Sequence, residues 1–209
     1  MLHRLDDALR YAPLWRGLRN SARLRRALGY ENTLWTRKVA DREVRTLVAG
    51  LEPAPRRVVE ISGRVWQDAG FSSYTSVQYP AFDIAQARLP DSFDLVIAEH
   101  ILEHVEQPER AAHNIRAMLS PGGHALIVTP FLYKVHDDPV DFTPWTEKGL
   151  RRLMVSCGFP LETIRSGSWG NRACVEATLR REFRLFNRYL HSLEHEPQFP
   201  VVVWALARR

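Results

Sequence analysis

The spacing of hydrophobic and polar positions changes after the first fifty residues. Leucines recur at helical spacing over residues 1–50, with arginines between them. Pro13 and Gly29 interrupt this pattern, which predicts two or three short helices rather than one long helix. The stretch 41–51 indicates a further helix before a pair of prolines. We therefore expect a helical N-terminal extension over residues 1–50 and a different architecture over residues 51–209.

Short apolar runs alternate with helical segments in the rest of the chain. The predicted strands are 58–61, 74–77, 93–98, 124–129, 161–165 and 201–206, and the predicted helices are 108–119, 147–157 and 172–192. This alternation predicts an α/β fold, a doubly wound and mostly parallel sheet of about six or seven strands. Sheets of this kind bind ligands beyond the carboxyl ends of their strands.

Polar residues and tight turns follow the carboxyl ends of the predicted strands. The first strand ends in a carboxylate and a glycine turn, which lets the backbone approach a ligand closely. The residues are Glu60, Ser62 and Gly63 after the first strand, Gln78, Asp83 and Ile84 after the second, and Glu99 and His100 after the third. Because these strand ends meet at one edge of a parallel sheet, the sequence predicts a single pocket there.

The loop after the fourth strand carries candidate acid–base residues. His136 can accept a proton from a substrate hydroxyl or amine near neutral pH, and a nearby carboxylate can orient its ring. We predict His136, Asp141 and His100 as the catalytic residues. Two alternatives remain open: Asp141 could cap the following segment, and a histidine among carboxylates could bind a divalent metal. Our prediction is that the site holds no metal.

Charge and cysteine content narrow the possible partners. The chain of 209 residues carries a net charge of +5, and residues 1–26 hold seven arginines against two aspartates. We expect this basic segment to be a solvated face or a docking surface for another subunit, not a nucleic-acid site, because it lacks the aromatic–basic interleaving of RNA-binding segments. No apolar run approaches the ~20 residues of a membrane span. Two cysteines cannot form a disulfide framework, which favours the cytoplasm.

The segment from Phe93 to Pro130 carries a recognisable series of motifs. It reads FDLVIAEHILEHVEQPERAAHNIRAMLSPGGHALIVTP, a strand ending near a Glu-His-x-x-Glu-His run, then a helix, a Leu-x-Pro-Gly-Gly turn and another strand. This order resembles the class I S-adenosylmethionine (SAM)-dependent methyltransferases. The resemblance extends over residues 56–209.

The resemblance implies a SAM site with a degenerate glycine-rich loop. In the family, the first strand ends in an acidic residue and a glycine-rich turn under the amino-acid part of SAM. Glu60 and Gly63 match this pattern, whereas Arg64 and Trp66 stand where further glycines are usual.

The resemblance also assigns the nucleoside side of the site. The second strand of the family ends in an acidic residue that binds the ribose hydroxyls, and Gln78 stands near that position. Asp83 falls where an aspartate would contact adenine. The stretch between Val77 and Phe93 is short, so we expect the usual helix and strand there to be reduced.

These implications give a leading hypothesis and an alternative. The first is a SAM-dependent methyltransferase that acts on a small molecule in bacterial secondary metabolism. The alternative is an inactive methyltransferase-like accessory subunit that stabilises a partner enzyme, or another copy of itself, through the arginine-rich N-terminal helices. A loop at Arg64 and Trp66 that fills the SAM site would favour the alternative. Modification of nucleic acid is a weaker third hypothesis.

Overall fold

The computed structural model describes residues 22–136, 139–180 and 184–209. Its N-terminal region contains helix α1 (Ala22–Ala27), strand β1 (Tyr30–Leu34) and helix α2 (Lys38–Ala49). The arginine-rich residues 1–21 lie outside the described residues, so their predicted helices and docking role stay predictions. The prediction that residues 1–50 form only helices is wrong at β1, which pairs in antiparallel fashion with β7 (Leu185–Asn187).

A six-stranded sheet forms the centre of the molecule. Its strands are β2 (Arg57–Ile61), β3 (Ser73–Val77), β4 (Phe93–Glu99), β5 (Leu119–Pro130), β6 (Arg165–Trp169) and β8 (Val202–Arg208). They lie in the order β3-β2-β4-β5-β8-β6. The first four are parallel, and β8 runs antiparallel to both neighbours. Strand order reverses between β2 and β4, so the predicted doubly wound, mostly parallel sheet is confirmed, with its switch point at these two strands.

Helices cover both faces of this sheet. Helices α3 (Pro108–Ala117) and α4 (Glu147–Ser156) bury one apolar face, while α2 and α5 (Arg172–Arg180) bury the other. Successive side chains of β4 alternate between the two cores: Val96 faces α3 and α4, and Leu95 and Ile97 face α2, as the two-residue period of a strand requires. Burial on both faces explains the nearly continuous apolar runs of the sequence.

The connections on either side of β3 lack helices. Residues 62–72 and 78–92 contain only turns and bends, although a parallel crossover is usually a helix. Trp66 packs among the residues that face α2, and the Arg45 guanidinium lies 5.0 Å from its ring centroid. One buried indole therefore covers sheet surface that a crossover helix would otherwise cover.

Two predicted elements of the C-terminal part are wrong. Residues 161–163 form a single 3-10 turn, and the strand begins at Arg165. The predicted helix 172–192 is α5, which ends at Arg180, while residues 185–187 form β7 instead. The pairing of β7 with β1 satisfies its backbone groups, so tertiary contact overrides the helical pattern there.

The two cysteines are free and buried. Burial raises the pKa of both thiols, that of Cys174 to about 12. They therefore act as small apolar residues. None of the described helices is long and apolar enough to cross a membrane.

His124 in β5 predicts an acid-sensitive component of stability. Its burial, followed by the charges of Arg56 and Arg208, lowers the pKa of His124 to about 4. The unfolded imidazole titrates near 6.5, so the unfolded chain binds more protons between these values. The free energy of unfolding should therefore fall as the pH falls from about 6.5 to about 4, by about 1–2 kcal/mol after allowance for the half-exposed ring.

Urea denaturation across that pH range tests the prediction. The His124→Gln variant, which removes the titrating group, should show a flatter dependence of unfolding free energy on pH. An unchanged slope in the variant would assign the acid sensitivity to other groups.

Candidate active site

Glu60 organises the turn that follows β2. Its carboxylate, 1% exposed, accepts hydrogen bonds from the backbone N–H groups of Val65 (2.9 Å) and Trp66 (3.0 Å) and from the Tyr74 hydroxyl (2.6 Å). Burial and the neighbouring carboxylate raise the pKa of Tyr74, which keeps its hydroxyl a donor. A Cβ on Gly63 would overlap the Glu60 side chain, so this position requires glycine. These contacts make Glu60 the residue that fixes the turn.

Ser62, Gly63 and Gln78 meet at the ends of β2 and β3. Ser62 has φ 53, a left-handed conformation that is uncommon outside glycine and frequent at functional sites. Its hydroxyl accepts a hydrogen bond from the Tyr79 N–H at 3.2 Å. The Gln78 amide is exposed and donates to the Gly63 carbonyl (3.2 Å) and to Ser76 Oγ (2.8 Å). The structure thus places three of the predicted cofactor residues side by side.

Asp83 and Ile84 lie on the turn that leaves β3. Asp83 Oδ1 accepts a hydrogen bond from the Ala85 N–H at 2.8 Å. Ile84 is buried, and its carbonyl accepts from the Asn114 side chain of α3 at 2.7 Å. These contacts anchor the turn; the predicted contact of Asp83 and Ile84 with a nucleoside stays a prediction.

Glu99 connects the end of β4 to the N-terminal region. Its carboxylate accepts hydrogen bonds from Trp66 Nε1 (2.7 Å) and from the Arg37 guanidinium (2.6 Å). Arg37 in turn contacts Asp41 of α2 at 3.2 Å. The Trp66 indole is therefore held toward α2, while Arg64 is exposed. Glu99, like Glu60, is engaged with protein donors.

Three histidines and two carboxylates gather beyond the ends of β4 and β5. His100 adopts φ 54, and its Nε2 is buried with no hydrogen-bond partner among the described residues. Its Nδ1 lies 3.6 Å from Glu103 Oε1, and His104 Nε2 lies 3.9 Å from the same oxygen. Glu103 is 2% exposed, and its Oε2 accepts from the Thr129 hydroxyl at 3.0 Å.

The loop after β5 brings His136 and Asp141 into this cluster. Asp141 Oδ2 lies 2.8 Å from His136 Nδ1 and accepts the His136 backbone N–H at 2.7 Å. His104 Nδ1 lies 2.8 Å from the Val140 carbonyl and 3.3 Å from Asp141 Oδ1. Asp141 does not cap the following helix, because the Thr146 hydroxyl caps α4 by accepting a hydrogen bond from the Gly149 N–H. Residues 137 and 138 lie outside the described residues.

The structure therefore joins the predicted catalytic residues His136, Asp141 and His100 to two residues outside the predicted catalytic set. Glu103 and His104 belong to the Glu-His-x-x-Glu-His run that carried the family resemblance. The spacing of this run could have identified them, because residues at i, i+3 and i+4, here His100, Glu103 and His104, lie on the same side of a helical turn.

The strand-end edge has features that suit SAM. Gly63 has no room for a side chain, Ser62 holds a left-handed turn, and the Gln78 amide is exposed. A turn of this kind can present backbone groups to a ligand, and an amide can bond a diol.

Comparison with known families decides the assignment of the chain. A family model described as a methyltransferase domain matches residues 28–165. The chain belongs to this methyltransferase family. No curated protein sequence matches the methyltransferase.

Solved structures share the fold of this methyltransferase. A possible histamine N-methyltransferase from Thermotoga maritima is 14% identical with a TM-score of 0.52, covering 83% of this chain and 97% of that chain. A methyltransferase from Haloferax volcanii, in complex with the Trm112 activator, is 16% identical with a TM-score of 0.50, and the match covers 83% of this chain and 93% of that chain. Phosphoethanolamine N-methyltransferase 2 from Haemonchus contortus, in complex with SAM, is 12% identical with a TM-score of 0.53, and the match covers 80% of this chain and 52% of that chain.

At these identities the structural likeness shows the fold of the methyltransferase. Together with the family match it confirms the predicted class and supports SAM as the cofactor.

Proposed function

We propose that this methyltransferase transfers a methyl group from SAM to a small molecule of bacterial secondary metabolism, in the cytoplasm. The observation that carries the proposal is the pair of left-handed residues, Ser62 and His100, at the ends of the adjacent parallel strands β2 and β4. Such conformations persist where the surrounding structure enforces them, often at ligand sites. They lie at the topological switch point, where sheets of this type bind ligands.

We assign the cofactor contacts to the residues that remain accessible at this edge. The backbone of Ser62 and Gly63 would face the amino-acid part of SAM, and Gln78 and Asp83 the nucleoside. Glu60 and Glu99 would act through the turn, because their carboxylates already accept hydrogen bonds from protein groups.

The histidine cluster supplies the proton chemistry. The sulfonium of SAM is already an electrophile, so the protein must align the nucleophile, exclude water and accept a proton from a protonated acceptor. His136, whose Nδ1 lies 2.8 Å from Asp141 Oδ2, is the proposed base, and His100 belongs to the same cluster through Glu103.

Exposed apolar side chains near the cluster favour an acceptor with an apolar part. Val135, Val140 and Phe142 are 65%, 43% and 48% exposed on the loop that carries His136 and Asp141. Tyr79, at the end of β3, is 59% exposed. An apolar acceptor would cover such side chains on binding.

The accessory-subunit hypothesis has two observations in its favour. The turns on both sides of β3 have no crossover helix, and Glu60 has its carboxylate engaged with the protein. The methyltransferase of Haloferax volcanii is described in complex with an activator protein, so a partner is a reasonable second role.

Calorimetry with SAM and S-adenosylhomocysteine separates the two functions. We expect binding at micromolar to sub-millimolar ligand. Absence of heat at millimolar ligand, with the chain folded by circular dichroism, would favour the accessory role.

The Gln78→Glu variant tests the nucleoside side. A carboxylate can accept two hydrogen bonds from the ribose hydroxyls, so SAM should bind about tenfold more tightly. Gln67→Glu, which adds the same charge at another exposed position, should leave the affinity unchanged. Equal affinities for the wild type and the Gln78 variant would remove Gln78 from the ribose site.

A further inference from the structure

We propose that Glu103, His104 and His136 form a binding site for a divalent transition-metal ion, of which zinc is the best match. One ligand atom from each of these residues lies within 4.8 Å of those of the other two. The inference departs from our sequence-based expectation of a metal-free site. It rests on the proposed function in placing the acceptor beside this cluster, and it replaces His136 by His100 as the base.

Glu103 provides the strongest evidence for a cation. The side chain is 2% exposed, and one oxygen, Oε2, is held by the Thr129 hydroxyl. The other oxygen, Oε1, is buried and has no hydrogen-bond partner among the described residues. A buried carboxylate oxygen without a donor is costly. A metal ion at Oε1 would satisfy it.

Each histidine has one nitrogen close to an oxygen acceptor, which leaves the other nitrogen for a metal. His104 Nδ1 lies 2.8 Å from the Val140 carbonyl, so Nε2 is its ligand atom, 3.9 Å from Glu103 Oε1. His136 Nδ1 lies 2.8 Å from Asp141 Oδ2 in an ion-pair contact, and we assign Nε2 as its ligand atom. Metal-bound histidines are characteristically held in this way by a carboxylate or a backbone carbonyl.

The donor set and its spacing agree with zinc. Two imidazoles and one carboxylate occur at catalytic zinc sites, where a further position stays open to water or substrate. Tetrahedral ligands about 2.1 Å from zinc lie about 3.4 Å apart. Because the ligand atoms of the cluster lie within 4.8 Å of one another, zinc binding needs a contraction of at most about 1.4 Å.

A bound metal would change the proton path. The acceptor hydroxyl would occupy the open position, where the cation favours loss of its proton. That proton would pass to His100, because His136 would be a ligand. The acceptor oxygen would then form a bond to the methyl carbon, and the carbon–sulfur bond would break with its electron pair left on sulfur.

Equilibrium dialysis against zinc chloride, followed by metal analysis, tests the site on the full chain. We expect one zinc ion per chain. Glu103→Gln keeps an oxygen for Thr129 but loses the carboxylate, and His136→Asn loses an imidazole. Each should weaken binding by at least about 10- to 100-fold, the loss that follows removal of an outer-shell partner alone. His113→Asn is the matched control, because His113 is exposed on α3.

Cobalt substitution gives a readout that needs no variant. Wild-type protein loaded with Co²⁺ should show visible ligand-field bands of nitrogen and oxygen ligands without a thiolate charge-transfer band, since both cysteines are buried elsewhere in the fold. Zinc binding that is absent, or equal in wild type and Glu103→Gln, overturns the metal site. SAM binding is measured on the same samples as an independent test. A protein that binds SAM but no zinc would refute only the metal site. A protein that binds zinc but no SAM would refute only the proposed function.

Discussion

Replacing Glu60 by alanine is expected to abolish measurable SAM binding and to lower the free energy of unfolding by about 2–4 kcal/mol. The variant leaves two backbone N–H groups and the Tyr74 hydroxyl without their buried acceptor. An unsatisfied buried donor costs more than the net value of the hydrogen bond that it loses. The turn that carries Ser62 and Gly63 then has no fixed geometry, so the cofactor loses its backbone contacts.

Urea denaturation and calorimetry measure these two effects separately. Glu60→Gln keeps one acceptor oxygen and should fall between wild type and alanine in both measurements. Glu106→Ala, at an exposed position, is the control for loss of an acidic side chain. A change in unfolding free energy as small as that of the control would show that the turn does not depend on Glu60.

The Gly63→Ala substitution is expected to weaken SAM binding about 10- to 100-fold while the sheet stays folded, because overpacking in a tight site costs about 1–3 kcal/mol. The added Cβ would overlap Glu60 Oε1, and Glu60 cannot move without releasing its own donors. The free-energy cost of the added methyl group therefore falls on the turn that carries Ser62 and Gly63.

Gly50→Ala provides the matched control for this prediction. A Cβ at Gly50 would meet its nearest atoms at 3.5 Å, an ordinary van der Waals contact. That variant should bind SAM as the wild type does. Full SAM affinity in Gly63→Ala, measured by calorimetry, would place the cofactor away from this turn.

The sequence predicted the parts of the fold that are buried on two faces. Strands such as β4 contain continuous apolar runs, and these runs predicted the sheet because both faces are covered. Strands β1 and β7 escaped prediction because each is short and neither alternates strictly between buried and exposed positions. Their pairing joins segments about 155 residues apart, which no local pattern reports.

The sequence predicted the location of the site more accurately than the hydrogen bonds and roles of its residues. Parallel strands place their carboxyl ends together, so Ser62, Gln78 and His100 had to meet at one edge. The engagement of Glu60 by the turn depends on the absence of a helix after β2, which the apolar pattern does not reveal. The cluster around Glu103 depends on the path of the loop that returns His136, and that path is set by tertiary contacts.

Backbone amide chemical shifts of labelled protein, recorded during a titration with SAM, test the central claim most directly. We predict that the largest shifts fall on Ser62, Gly63, Gln78 and His100, at the carboxyl ends of β2, β3 and β4. Shifts confined to α2 or to the β1–β7 pair, or no shifts at millimolar SAM, would contradict a cofactor site at this edge of the sheet.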